Sequence, residues 1–123
     1  MPHIESLYEV EFGDVADGGA SYRNGGEFVL EANRIFGGDS GYYYNGTFSC
    51  DGEQIAADVK IVKHNPNWGN AFGDAAQSFN VRLQGTVNNT VIEGSMERLD
   101  RPGIRLPVRL TWKEDLPCEI PPP

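Results

Sequence analysis

Residues 37–46 read Gly37-Gly38-Asp39-Ser40-Gly41-Tyr42-Tyr43-Tyr44-Asn45-Gly46, a glycine-rich turn that runs into three consecutive tyrosines. On a strand, successive side chains point to opposite faces, so Tyr42 and Tyr44 share one side and Tyr43 takes the other. Glycine supplies the unusual backbone angles of a tight turn. The stretch therefore predicts a turn that launches an aromatic strand over 41–50, with Tyr42, Tyr44, Phe48 and Cys50 on one face.

The same period of two continues downstream. Asp51-Gly52 predicts a tight hairpin. The strand after it, 53–63, places Ile55, Ala57, Val59 and Ile61 together. A longer connection over 64–76 interrupts the rhythm. Then 77–86 alternates Phe79, Val81 and Leu83 with polar residues, and Asn88-Asn89 turns it into 90–99, with Ile92, Gly94 and Met96 inward. After the turn Asp100-Arg101-Pro102-Gly103, residues 104–112 carry Ile104, Leu106, Val108, Leu110 and Trp112 on one face. Pro107 points outward and cannot donate to a ladder, which predicts a local bulge.

Upstream, residues 5–12 place Tyr8, Val10 and Phe12 on one side and acids on the other. Asp17-Gly18-Gly19 predicts a turn into a short strand over 20–23. Asn24-Gly25-Gly26 is a strong hairpin signal, and 27–31 is the strand that follows, with Phe28 and Leu30 inward. Eight strands in sequence, joined by hairpins and without a crossover helix, predict an antiparallel meander. Such a meander removes its edges by closing, so the expectation is an all-β, eight-stranded, antiparallel up-and-down barrel of the lipocalin-like type. A flattened β-sandwich is the alternative. Closure would set Arg105, Arg109 and Lys113 opposite Glu5, Glu9 and Glu11, with Glu93 and Glu97 on the other side.

With 123 residues the chain is one domain, expected over 1–116, followed by a proline-rich tail over 117–123. Net charge is −8, and the excess is all in residues 1–53, which hold ten acids and two bases. Such a surface repels nucleic acid and attracts a basic protein. No apolar run is long enough to cross a membrane as a helix. Met1-Pro2-His3-Ile4-Glu5 has neither the basic region nor the apolar core of a signal peptide, so a cytoplasmic protein is expected. Cys50 and Cys118 without CxxC spacing, with only His3 and His64, do not make a zinc set, and no metal or other cofactor is expected.

Gly38-Asp39-Ser40-Gly41 looks like the nucleophile loop of a chymotrypsin-like protease. A general base is missing, because the one upstream histidine is His3, and Asp39 and Ser40 read instead as turn residues that bond nearby backbone. No catalytic residue is assigned, and the chain is not expected to be an enzyme. Tyr8, Phe12, Phe28, Tyr42, Tyr44, Phe48, Phe79, Met96 and Trp112 are the candidate interior. They are either an ordinary packed core or the lining of a cavity for a small apolar ligand. Gly46, Gly85 and Gly94 share the inward parity and either leave space or let strands bend. Trp68 and Phe72, in the 64–76 connection, either plug a barrel mouth or contact a partner.

Taken together, Tyr8-Glu9-Val10-Glu11-Phe12, Asn24-Gly25-Gly26, Ile35-Phe36-Gly37-Gly38-Asp39, Tyr43-Tyr44-Asn45-Gly46, Asp51-Gly52-Glu53 and Leu83-Gln84-Gly85 carry a resemblance. The chain resembles the GrlR family, small bacterial negative regulators of type III secretion with a lipocalin-like barrel. The resemblance spans most of residues 5–112. It implies a homodimer that represses by protein contact, with no enzymatic step. The founding members hold a basic helix-turn-helix activator through an acidic hairpin. Here that hairpin is Cys50-Asp51-Gly52-Glu53, with Asp51 and Glu53 separated by glycine in place of an unbroken acidic run. The alternative is a lipocalin-like carrier or sensor of a small apolar ligand.

Overall fold

The computed structural model describes residues 5–13, 22–65 and 77–116. They form eight strands: β1 (Ser6–Gly13), β2 (Tyr22–Glu31), β3 (Arg34–Gly38), β4 (Tyr42–Asp51), β5 (Gln54–Lys63), β6 (Ser78–Asn88), β7 (Val91–Arg98) and β8 (Arg105–Asp115). Each pairs antiparallel with its sequence neighbours, and β8 returns to β1, which closes the barrel and leaves no sheet edge. The meander reading holds, and the sandwich does not.

Alternation decides which face is inside. β5 and β6 alternate without a break, burying Ile55, Ala57, Val59 and Ile61 on one and Phe79, Val81, Leu83 and Val87 on the other. Val10, Leu30, Ile35 and Leu110, from four different strands, are wholly buried. The outer face carries ion pairs between neighbouring strands: Asp58–Arg82 at 3.0 Å, Glu97–Arg105 at 3.5 Å, Glu11–Arg109 at 3.1 Å and Glu9–Lys113 at 3.6 Å. Exposed pairs of this kind contribute a few tenths of a kcal/mol each, so their larger effect is on register. Arg109 and Lys113 answer acids of β1 as closure requires. Arg105 turns the other way, to Glu97, because β1 no longer pairs with β8 at that level.

Two sequence expectations are corrected. Asn24-Gly25-Gly26 is not a hairpin. It lies inside β2, where Val10 pairs Gly26 and Glu11 pairs Asn24, so Gly25 is the extra residue of a bulge. The Phe12 ring occupies the space a side chain at Gly25 would need. The pieces 20–23 and 27–31 therefore do not make two strands. The missing strand is β3, within a stretch that lacked a strand assignment. Its entry turn, Ala32-Asn33, contains neither glycine nor proline, yet Ala32 holds a φ of 57°.

The bulge expected at Pro107 is also absent. Pro107 pairs regularly with Ser95, and the ladder to β1 has ended at Val108. Trp112 donates its N–H toward β7, so by alternation Pro107 faces the side where that ladder is finished. The irregularity between β1 and β8 lies between Leu7 and Tyr8 instead.

Three connections at one end are two-residue turns: Ala32-Asn33, Gly52-Glu53 and Asn89-Thr90. Here Asp51 pairs Gln54 and Asn88 pairs Val91. Gly52 and Asn89 have φ of 61° and 57°, the positive values that short hairpins require. The opposite end carries the longer connections, among them 39–41 and 99–104.

Candidate functional site

The acidic hairpin assigned as the contact site is built by β4 and β5. Asp51 and Glu53 are both exposed at its tip, and neither makes an ion pair among the described residues. Gly52 between them has open space around it, so its role is the backbone angle alone. On the outer face beside the tip lies a shallow depression of about 310 Å³, lined by Ser49, Asp51, Gln54, Ile55, Ala56 and Gln84. Cys50 has the inward parity but sits beyond the packed interior and is exposed, a correction to its expected inward place. Its partial burial raises the thiol above its ordinary value.

The candidate interior residues are brought together. Tyr8, Phe12, Phe28, Tyr42, Tyr44, Phe48, Phe79 and Met96 belong to one buried cluster, and Trp112 packs against it. None of those eight exceeds 8% exposure, so they present almost no surface to water. The rings meet edge to face, Phe28 on Tyr44 at 4.9 Å and Tyr42 on Phe79 at 6.5 Å between centroids. Burial, and then nearby Cys50, pushes the Tyr8 hydroxyl up to about 12. Trp112 Nε1 is buried with no acceptor among the described residues. Gly46 and Gly94 do not open space inside. A Cβ at either would overlap the carbonyl oxygen of the adjacent strand, Asp58 for Gly46 and Gln84 for Gly94, so the close approach of the strands requires glycine there.

The turn before β4 is pinned by side chains. Asp39 Oδ1 accepts the N–H groups of Gly41 and Tyr42, each at 2.8 Å. Its other oxygen accepts the Tyr44 hydroxyl, which also faces the Gly25 carbonyl at 2.9 Å. A hydroxyl has one proton, so it donates to one of these two at a time. Burial, followed by Asp39, raises the Tyr44 hydroxyl far above its ordinary value. His64 joins from the end of β5, with Nε2 3.0 Å from the Asp39 carbonyl oxygen, which needs the proton on that nitrogen. Asp39 thus acts as the backbone-bonding turn residue expected of it.

Arg98 was missed by the sequence reading. It continues the inward series Ile92, Gly94, Met96, and its side chain is 3% exposed. The guanidinium lies 4.4 Å from the Phe79 ring centroid and pairs in a fork with Asp100, at 2.9 and 2.6 Å. Its parity was the one available signal.

Trp68, Phe72, His3, Cys118 and the tail over 117–123 lie outside the described residues. No group of three or more His, Cys, Asp or Glu side chains able to hold a metal occurs among the described residues. No helix among them is long and apolar enough to cross a membrane. No protein-family model matches the chain, and no curated protein matches it.

Proposed function

We propose that this chain is a non-enzymatic regulatory module that works by protein contact, holding a basic helix-turn-helix activator in an inactive complex in the bacterial cytoplasm. The GrlR resemblance supplies the partner class and the connection to type III secretion. The supporting observation is the Gly52 hairpin, which holds Asp51 and Glu53 exposed at its tip with no ion pair among the described residues. Unanswered carboxylates on a fixed turn suit a basic surface and steer it during encounter. The low accessibility of the interior favours contact over carriage of a small ligand, because a guest would have to displace packed side chains.

The test is co-purification with the helix-turn-helix activator encoded nearest the gene. The Asp51→Asn/Glu53→Gln variant should weaken capture at least tenfold in moderate salt. Undiminished capture would remove the hairpin from the contact, and no capture by the unaltered chain would remove the reading itself.

A further inference from the structure

On the outer face, the register of β4, β5 and β6 sets polar side chains around one small residue. Ser49 pairs Ala56, and Ala56 pairs Gln84. Toward the hairpin tip Asp51 pairs Gln54, and Gln54 pairs Thr86. On the other side Asp58 pairs Arg82. All of these are exposed, and Ala56 alone among them has no polar side-chain atom. The depression beside the tip, of about 310 Å³, is accompanied by a second of about 400 Å³ that reaches Asp58 and Arg82. The two share Ser49, Ala56 and Gln84, so they are lobes of one shallow trough over Ala56.

Hydrogen bonding in the trough is uneven. In the far lobe Asp58 is answered by Arg82 at 3.0 Å, and at the tip side Thr86 donates to Gln54 Oε1 at 3.4 Å. Asp51, Ser49 and Gln84 make no side-chain hydrogen bond or ion pair among the described residues. The near lobe therefore presents an unanswered carboxylate, a hydroxyl and a carboxamide around the Ala56 methyl. Those groups select a guest. Asp51 repels an anion. An apolar side chain takes water from three polar groups and returns no hydrogen bond. Lysine is a strongly hydrated point charge without a planar fork. Arginine has a fork that matches the two oxygens of Asp51, further N–H donors for Ser49 Oγ and Gln84 Oε1, and a methylene stem to lie on Ala56. The near lobe stands at the lower bound of small-ligand site volumes, which suits one inserted side chain. We propose that the near lobe is a guanidinium site that takes an arginine side chain of a partner protein. The inference rests on the activator-contact reading for the source of that arginine, and it carries part of the contact from the hairpin tip onto the sheet face.

Titration of the isotope-labelled full chain with a blocked Gly-Arg-Gly peptide and its Gly-Lys-Gly counterpart, read by amide chemical shifts at low salt, tests the proposal. The arginine peptide should shift Ser49, Ala56 and Gln84 saturably and bind about fivefold tighter than the lysine peptide. Asp51→Asn, and Ala56→Leu, which fills the lobe from an exposed position, should each weaken it about tenfold. Shifts scattered over the exposed carboxylates, equal binding of the two peptides, or unchanged binding to Ala56→Leu would overturn the site. Activator capture separates this inference from the reading it rests on. Capture that falls in Asp51→Asn/Glu53→Gln but not in Ala56→Leu would overturn the trough and leave the hairpin contact standing. Arginine binding in the trough by a chain that captures no activator would overturn the activator reading alone.

Discussion

The two ends of the barrel are held by different means. At one, three two-residue turns reverse the chain, and backbone conformation does most of the work: Gly52, Asn89 and Ala32 have positive φ. At the other, side chains do it. Asp39 ties its own turn together and reaches Tyr44, whose hydroxyl also meets β2 at Gly25, while Arg98 stacks on Phe79 and grips Asp100. A turn made by backbone angles leaves its side chains free for other uses, as Asp51 and Glu53 show. A turn made by buried hydrogen bonds commits its side chains to stability. Asp51 and Glu53, exposed and without an ion pair among the described residues, lie at the hairpin end.

The sharpest way to break this contrast is Asp39→Ala. It removes the acceptor of two backbone N–H groups and of a buried hydroxyl, and should cost about 3 kcal/mol in urea denaturation. Asp51→Ala, at the opposite end, should stay within about 0.5 kcal/mol. Equal effects would show that the ends do not differ as described.

Alkaline titration gives the next effect. Unfolded tyrosines lose their protons near pH 10. Tyr8 holds its proton to about 12, and Tyr44 is raised further by burial and by Asp39. The native state then binds more protons than the unfolded one, so stability is intact below pH 10 and falls as pH rises above it. Tyr44→Phe should make that fall shallower, as read by denaturation midpoints between pH 9 and 11. The same slope in both proteins would refute the assignment.

The smallest effects come from the turns themselves, and their signs should oppose. Gly52→Ala forces a side chain into positive φ and should cost about 1 kcal/mol. Ala32→Gly relieves the same strain and, after the added freedom of the unfolded chain, should gain up to about 0.5 kcal/mol. Thermal midpoints moving the same way would mean that the backbone angle is not what these positions share.

Alternation made the interior and the closure of the barrel readable in the sequence, because one inward face recurs on every strand and the basic stripe of β8, Arg109 and Lys113 included, could be set opposite the acids of β1. It failed where its punctuation misleads. Asn24-Gly25-Gly26 has the composition of a turn but serves a bulge under the Phe12 ring, whereas Ala32-Asn33 is a turn with no such mark. The two errors offset, so the strand number was right although β2 and β3 were not. The acidic hairpin was legible because Asp51-Gly52 signals its own turn. Arg98 was not, since it takes a charge inside and needs Phe79 on the neighbouring strand to be recognised.

The pairing of β1 with β8 has a topological consequence. Ser6 lies opposite Asp115, so the chain enters and leaves the barrel side by side, at the same end as the Asp51–Glu53 tip. A short linker from 116 back to 5 would close the polypeptide into a ring, and a new opening at Asn89-Thr90 would leave every other strand connection intact. The β1–β8 seam and the β4–β5 pair are four strands apart around the closed barrel, so Ser6 and Asp115 share an end with the acidic tip but lie across the barrel from it.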